Sequence, residues 1–142
     1  IKISKLILSA SSPNFVQNSN WQYGIDADNF KQFSNALQLN LSKGLKRFVS
    51  LQSKNKAQLK ILNNFIDQYP ASTQALNQGL EILLSTNLID ELKNLKIPVS
   101  VILGDRDTLV PHQISHWYNE INIKTQVLNT GHIPFLQDDF LL

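Results

Sequence analysis

The chain has 142 residues, of which 42% are hydrophobic and 17% charged, the composition of an ordinary folded globular protein. Its net charge of +2 argues against a general nucleic-acid binder, and no apolar run approaches the ~20 residues needed to span a bilayer. Cysteine is absent, which excludes disulfides, thiolate catalysis and cysteine metal sites and fits a cytoplasmic location.

The first half of the chain predicts one strand followed by helices. An apolar segment at residues 5–9 is typical of a buried strand, and Ser11-Ser12-Pro13 ends it. Residues 14–27 are rich in Asn, Gln and Ser and are expected to form a loop. Apolar side chains at helical spacing then predict helices over residues 28–39, 42–52 and 56–68, and a fourth beginning near Ser72.

The apolar period changes after Pro98. The second half predicts a strand at residues 99–103, a helix at 112–119, a strand at 121–128 and a helix restarting near Gln137. This order is expected for the second half of an α/β sheet with an inserted helical lid. The predicted divisions are a core strand and loop (residues 1–24), the lid (25–86) and a C-terminal α/β core (87–142).

Two loop motifs carry the chemistry. Gly104-Asp105-Arg106-Asp107-Thr108-Leu109-Val110-Pro111 follows one predicted strand, and Gly-His-x-Pro-Phe, with His132 at its second position, follows another. Acid before histidine is the order of the last two members of an α/β-hydrolase triad. Both motifs lie beyond the carboxyl ends of strands, where α/β proteins place ligand sites. We predict Asp107 as the acid and His132 as the base.

Alternatives exist for each of these residues. Asp105 competes for the acid role, but the register Gly-x-x-Asp-x-x-Val-Pro favours Asp107. An isolated Asp in such a loop would more often be a helix N-cap. His112 and His116 are four apart, as in some metal sites, yet no intervening Glu or third ligand accompanies them. We therefore expect no metal and no organic cofactor.

The nucleophile of such a triad is not found in these residues. No Gly-x-Ser-x-Gly motif occurs, and the chain begins with Ile and contains no Met. We expect the C-terminal part of a serine hydrolase, part of an α/β-hydrolase fold, whose serine lies upstream. The chain alone is then predicted to be inactive.

Five stretches carry a more specific resemblance. They are Ala10-Ser11-Ser12-Pro13-x-Phe15, Arg47-Phe48-x-x-Leu51-Gln52, Gly79-Leu80-Glu81-Ile82-Leu83 and the two loop motifs. On these stretches the chain resembles the C-terminal part of the pimeloyl-[acyl-carrier protein] methyl ester esterases of biotin synthesis, α/β-hydrolases, through nearly all of its length. The resemblance implies a cytoplasmic carboxylesterase. Its partners would be acyl carrier protein and the N-terminal segment of the same enzyme, which is missing from this chain.

The resemblance also implies two sets of lid residues. The acyl pocket would be lined by Phe48, Val49, Ser50, Leu51 and Gln52 beside His132, with Phe48 facing the histidine. The acidic carrier would dock on Lys43, Arg47, Lys56 and Lys60. Helical spacing alone would make Phe48 and Leu51 core residues and the basic residues an ordinary solvated face. The absence of Asp and Glu from residue 31 to residue 66 favours a docking surface.

Two rival functions stay open at this point. Another α/β-hydrolase, such as a thioesterase, lactonase or carbon–carbon bond hydrolase, would carry the same acid and histidine. A non-catalytic module that binds carrier protein would lack the serine altogether. A Gly-x-Ser-x-Gly motif upstream would favour an enzyme over a binding module.

Overall fold

A computed structural model of the chain describes residues 2–137 and Phe140. Three parallel strands form its sheet in the order β1 (Leu6–Ser9), β2 (Val99–Gly104) and β3 (Lys124–Leu128). The chain therefore has the expected α/β class. Because the strands are parallel, their carboxyl ends meet at one edge of the sheet, and the loops that carry Asp107 and His132 leave from that edge.

Helices fill the connection between β1 and β2. They are α1 (Ala27–Leu39), α2 (Leu41–Gln52), α3 (Lys56–Gln68), α4 (Thr73–Ser85) and the short α5 (Ile89–Lys93). Asp26, Asn40, Asn55 and Ser72 precede the first four, and each side chain accepts a backbone N–H of the first turn. Such caps each contribute about 1 kcal/mol, so local sequence fixes where these helices begin.

Three details differ from the sequence predictions. α5 was not predicted. β3 begins at Lys124 rather than at Ile121, because α6 (Ile114–Glu120) ends there and Asn122 turns the chain with a φ of 60°. A single 3₁₀ turn, Pro134–Leu136, precedes the helix predicted from Gln137, most of which lies outside the described residues.

The hydrophobic core next to the sheet includes Trp21, a residue of the predicted loop. Trp21 is buried and meets the ring of Trp117 edge to face, with centroids 5.0 Å apart. Isolated β-bridges, including one between Val16 and Ile25, hold the loop that contains Trp21. Next to Trp117, the Tyr118 hydroxyl donates to the Ser11 carbonyl at 2.8 Å. Burial raises the pKa of Tyr118, so this hydroxyl stays a donor and ties α6 to the end of β1.

The helices between β1 and β2 differ in how closely they pack against one another. α1 contacts α2, with the rings of Phe33 and Phe48 5.7 Å apart, and α2 contacts α3. α4 buries none of its residues, and Ile82 and Leu84 are about 60% exposed on it.

Among the described residues, no helix has both the length and the apolar character that crossing a membrane would need.

Candidate active site

Asp107 is held in place from two sides. Its side chain is fully buried, and its Oδ1 accepts the backbone N–H groups of Leu109 at 2.8 Å and Val110 at 3.0 Å. Its other oxygen, Oδ2, lies 2.9 Å from Nδ1 of His132. An ionised carboxylate can only accept, so Nδ1 carries the proton in this pair. Nε2 is then the nitrogen that has a free lone pair.

Asp105 has a different environment. Its carboxylate is 43% exposed and lies 3.6 Å from Nε of Arg106, while its backbone carbonyl lies 3.1 Å from Nδ1 of His112. The structure thus puts Asp107, and not Asp105, against His132, as the loop register predicts. His116, four residues after His112, is exposed.

His132 combines a fixed ring with access to solvent. Its backbone N–H donates to the Gln52 carbonyl at 2.8 Å, and its side chain is 22% exposed. A histidine whose Nδ1 is bonded to a buried carboxylate and whose ring remains accessible is the arrangement of a general base in acyl transfer.

Two glycines allow the loops to approach this closely. A Cβ on Gly131 would lie 2.5 Å from the Gln52 carbonyl oxygen, well inside contact distance. A Cβ on Gly104 would meet the carbonyl oxygens of Thr130 and Gly131. The end of β2, the histidine loop and the end of α2 therefore pack with no room for a side chain at either position.

A cavity of about 240 Å³ opens between the helices and the acid loop. Its apolar wall is formed mainly by Phe15, Phe30, Phe33, Phe48, Leu51 and Leu109. Thr108 lines it as well, so the cavity reaches the residues directly after Asp107. His132 is not part of this wall, and the predicted orientation of Phe48 toward the histidine stays a prediction.

The other members of the predicted pocket segment are placed differently. Val49 is 2% exposed and belongs to the interior, whereas Ser50 is exposed and its hydroxyl donates to the Arg47 carbonyl at 2.6 Å. Gln52 contributes its carbonyl to His132. Of the five residues in the segment, Phe48 and Leu51 line the cavity.

The predicted docking residues Lys43, Arg47, Lys56 and Lys60 are all exposed. Within residues 2–137 and Phe140, none of them pairs with a carboxylate. Arg47 also lines the cavity, so one end of the basic set lies at the pocket.

Sequence reasoning missed several residues that the fold brings to the site. Phe15 was expected in a loop and Phe30 and Phe33 in a helix core, yet all three line the cavity. An apolar helix face such as that of Phe30 and Phe33 can serve both purposes. Thr108 was visible only as part of the acid-loop motif. Gln58, whose amide donates to the Leu136 carbonyl just after His132, gave no signal, since an amide inside a helix has no characteristic spacing.

Two curated relatives of the chain carry the same name. A pimeloyl-[acyl-carrier protein] methyl ester esterase from Pseudoalteromonas atlantica is 33% identical over 151 residues, covering 99% of this chain and 58% of the relative. One from Legionella pneumophila is 34% identical over 139 residues, covering 95% and 55%. The chain thus spans little more than half the length of these relatives. No protein-family model matches it.

Solved structures share the fold. An esterase from Exiguobacterium antarcticum superposes with a TM-score of 0.80 at 23% identity, covering 94% of this chain and 52% of the esterase. A hydrolase from Oleispira antarctica gives 0.81 at 13% identity, covering 95% and 51%. MGS-M2, an alpha/beta hydrolase from a Medee basin deep-sea metagenome, gives 0.57 at 14% identity, covering 94% and 50%. At these identities the likeness concerns the fold, and the chain has part of an α/β-hydrolase fold.

Proposed function

Because the chain has part of the α/β-hydrolase fold and is similar over nearly all of its length to pimeloyl-[acyl-carrier protein] methyl ester esterases, we propose that it is the C-terminal part of such an enzyme. The reaction is hydrolysis of the methyl ester of a pimeloyl group carried on acyl carrier protein. The observation that carries the proposal is the 2.9 Å hydrogen bond between Asp107 and His132, on loops beyond the carboxyl ends of β2 and β3.

In the proposed mechanism, a serine upstream of this chain attacks the ester carbonyl. Nε2 of His132 takes the serine proton and then gives it to the leaving methanol. Asp107 holds the ring in the required tautomer and stabilises the imidazolium. Water then attacks the acyl-enzyme with His132 as base, which yields the free carboxylate and regenerates the serine. Backbone N–H groups outside this chain would stabilise the oxyanion, each by roughly 3–4 kcal/mol.

The sheet supports the proposal that an upstream segment completes the enzyme. Among the described residues β1 pairs on one side with β2, and its other edge has no strand partner. Leu6 and Leu8, on one face of the sheet, also line an apolar groove together with Leu88, Leu92 and Leu95. An unpaired strand edge is usually covered in a finished fold. In a protein nearly twice as long, the segment that holds the nucleophile would cover it.

The helical lid supplies the substrate features of the proposal. The aromatic cavity at Phe48 and Leu51 suits an acyl chain, and it lies against the acid loop. Lys43, Arg47, Lys56 and Lys60 offer exposed positive charge to the acidic carrier, and the spacing of four within α2 and within α3 puts each pair on one helix face. A chain without cysteine suits the reducing cytoplasm, where we place the enzyme.

Product analysis tests the proposal against the other reactions that this fold performs. The full-length protein is incubated with pimeloyl-acyl-carrier protein methyl ester, and the carrier is examined by mass spectrometry. We expect the methyl group to leave as methanol while the acyl chain stays on the carrier. Release of the acyl chain with a free phosphopantetheine thiol would instead indicate a thioesterase. Tight carrier binding with no product would indicate a non-catalytic module.

A further inference from the structure

The end of α2 is the point where the lid meets both catalytic loops. We propose that Thr108 and Gln58 are positioning residues, which hold the acid loop and the histidine loop against this helix end so that the cavity wall and the Asp107–His132 pair form one rigid unit. The inference rests on the proposed function, because it assigns the purpose of the contact to esterase catalysis.

The first part of the contact uses carbonyl groups that α2 cannot satisfy itself. The last four carbonyls of a helix lack intrahelical partners and need donors from elsewhere. The Thr108 hydroxyl donates to the Leu51 carbonyl at 2.9 Å, and the His132 backbone N–H donates to the Gln52 carbonyl at 2.8 Å. One donor is adjacent to the acid and the other belongs to the histidine. Consecutive carbonyls of one helix therefore set the relative position of both loops.

The second part of the contact is a buried polar bridge. Gln58 is 6% exposed on α3, and its Oε1 accepts the hydroxyl of Ser53, itself 4% exposed, at 2.6 Å. The Gln58 Nε2 donates to the Leu136 carbonyl at 3.3 Å, in the 3₁₀ turn that follows His132. Buried polar groups are costly unless they are paired, so this bridge fixes the distance between the α2–α3 corner and the histidine loop.

Leu51 connects the contact to substrate binding. Its side chain lines the cavity, while its carbonyl accepts the Thr108 hydroxyl. Thr108 lines the same cavity and follows Asp107 directly in the chain. A shift of α2 on binding an acyl chain would therefore be transmitted to Asp107 through Leu51 and its hydrogen-bond partner Thr108. Neither Thr108 nor Gln58 is proposed to touch the reacting atoms.

Thr108→Val tests the first part in the full-length protein, since valine keeps the shape and removes the donor. We expect kcat for a pimeloyl methyl ester to fall about fivefold, the factor that corresponds to losing one ordinary hydrogen bond, while KM changes less than twofold. Thr108→Ser should restore most of the rate. Thr125→Val is the matched control, because its hydroxyl, near the start of β3, bonds to Asn119 at 3.1 Å and to neither loop. Equal losses in both valine variants, or no rescue by serine, would overturn the proposal.

A second measurement needs no turnover. The His132 Nδ1 proton is followed by NMR in the same proteins, and its exchange with water reports how firmly Asp107 holds the ring. We expect faster exchange in Thr108→Val and in Gln58→Met, and wild-type exchange in Thr125→Val, with all variants folded by circular dichroism. Unchanged exchange in both test variants would contradict positioning. If the protein hydrolysed no ester at all, the proposed function would fail while this measurement still tested the contact.

Discussion

At the scale of single residues, two neighbouring aspartates have opposite environments. The Asp107 side chain is fully buried and accepts two backbone N–H groups in addition to its bond with His132, whereas the Asp105 side chain is partly exposed beside Arg106. Buried acceptors that are fully hydrogen-bonded keep one geometry, and exposed ion pairs contribute little. The difference gives a direct test of which carboxylate matters.

Asp107→Asn should lower kcat of the full-length protein by a factor on the order of 10⁴, because an amide neither enforces the required tautomer nor stabilises the imidazolium. Asp105→Asn is the matched control and should change kcat less than twofold. Both are checked by steady-state hydrolysis of a short-chain methyl ester. A large loss in Asp105→Asn with full activity in Asp107→Asn would reverse the assignment.

The sequence could predict Asp107 but not Thr108 or Gln58. The acid follows from its register within a loop motif that is local in the chain. The partners of Thr108 and Gln58 lie 57 and 78 residues away, and such contacts depend on how the helices pack. The pairing of Asp107 with His132 could therefore be predicted from the sequence, while the contacts around the pair required the fold.

At the scale of elements, α2 has three roles on three of its surfaces. One face lines the cavity, an adjoining face exposes Lys43 together with Arg47, which also borders the cavity, and its last carbonyls accept hydrogen bonds from Thr108 and His132. Apolar spacing predicted the starts of the first four helices, and the ends of the first three, to within one residue. It did not predict α5, which has five residues and no side-chain cap, or the pairing of residues 14–25, which depends on Trp21 reaching the core.

Reversing two exposed charges tests the docking surface. Lys43→Glu with Lys60→Glu should raise KM for the carrier-bound substrate several-fold and leave a small free ester unaffected, since charge steers encounter with the acidic carrier. The difference should shrink with added salt, because exposed charges are screened over about 8–10 Å near physiological ionic strength.

The control for this experiment is Lys96→Glu with Lys124→Glu, two exposed lysines outside α1–α4. It makes the same change in net charge and should leave KM for the carrier-bound substrate near wild type. If both pairs of substitutions raised KM equally, Lys43 and Lys60 would belong to an ordinary solvated face rather than to a docking surface.

At the scale of the whole molecule, the three parallel strands bring the loops that carry Asp107 and His132 to one edge of the sheet. Among the described residues, β1 has a strand partner on one side only, and the proposed upstream segment would add a strand on the other. The relatives are nearly twice as long, which agrees with a fold completed by more chain. The acid and histidine alone cannot form an acyl-enzyme, because they supply no nucleophile.

The isolated 142-residue chain should therefore hydrolyse no p-nitrophenyl ester, while the full-length protein does. The comparison is made at equal protein concentration, after purification that removes contaminating esterases. Turnover by the isolated chain that is lost in its own His132→Ala variant would show that a nucleophile lies within these residues.

The most direct test of the account is the site of covalent labelling by a fluorophosphonate, which reacts with activated serines. In the full-length protein, we expect one labelled serine, located by peptide mass spectrometry in the segment upstream of this chain. Labelling should become slower by at least about 10³-fold in His132→Ala, because the base that activates the serine is gone. Label on a serine within the 142 residues, or labelling that is as fast without His132, would contradict the claim that Asp107 and His132 serve an upstream nucleophile.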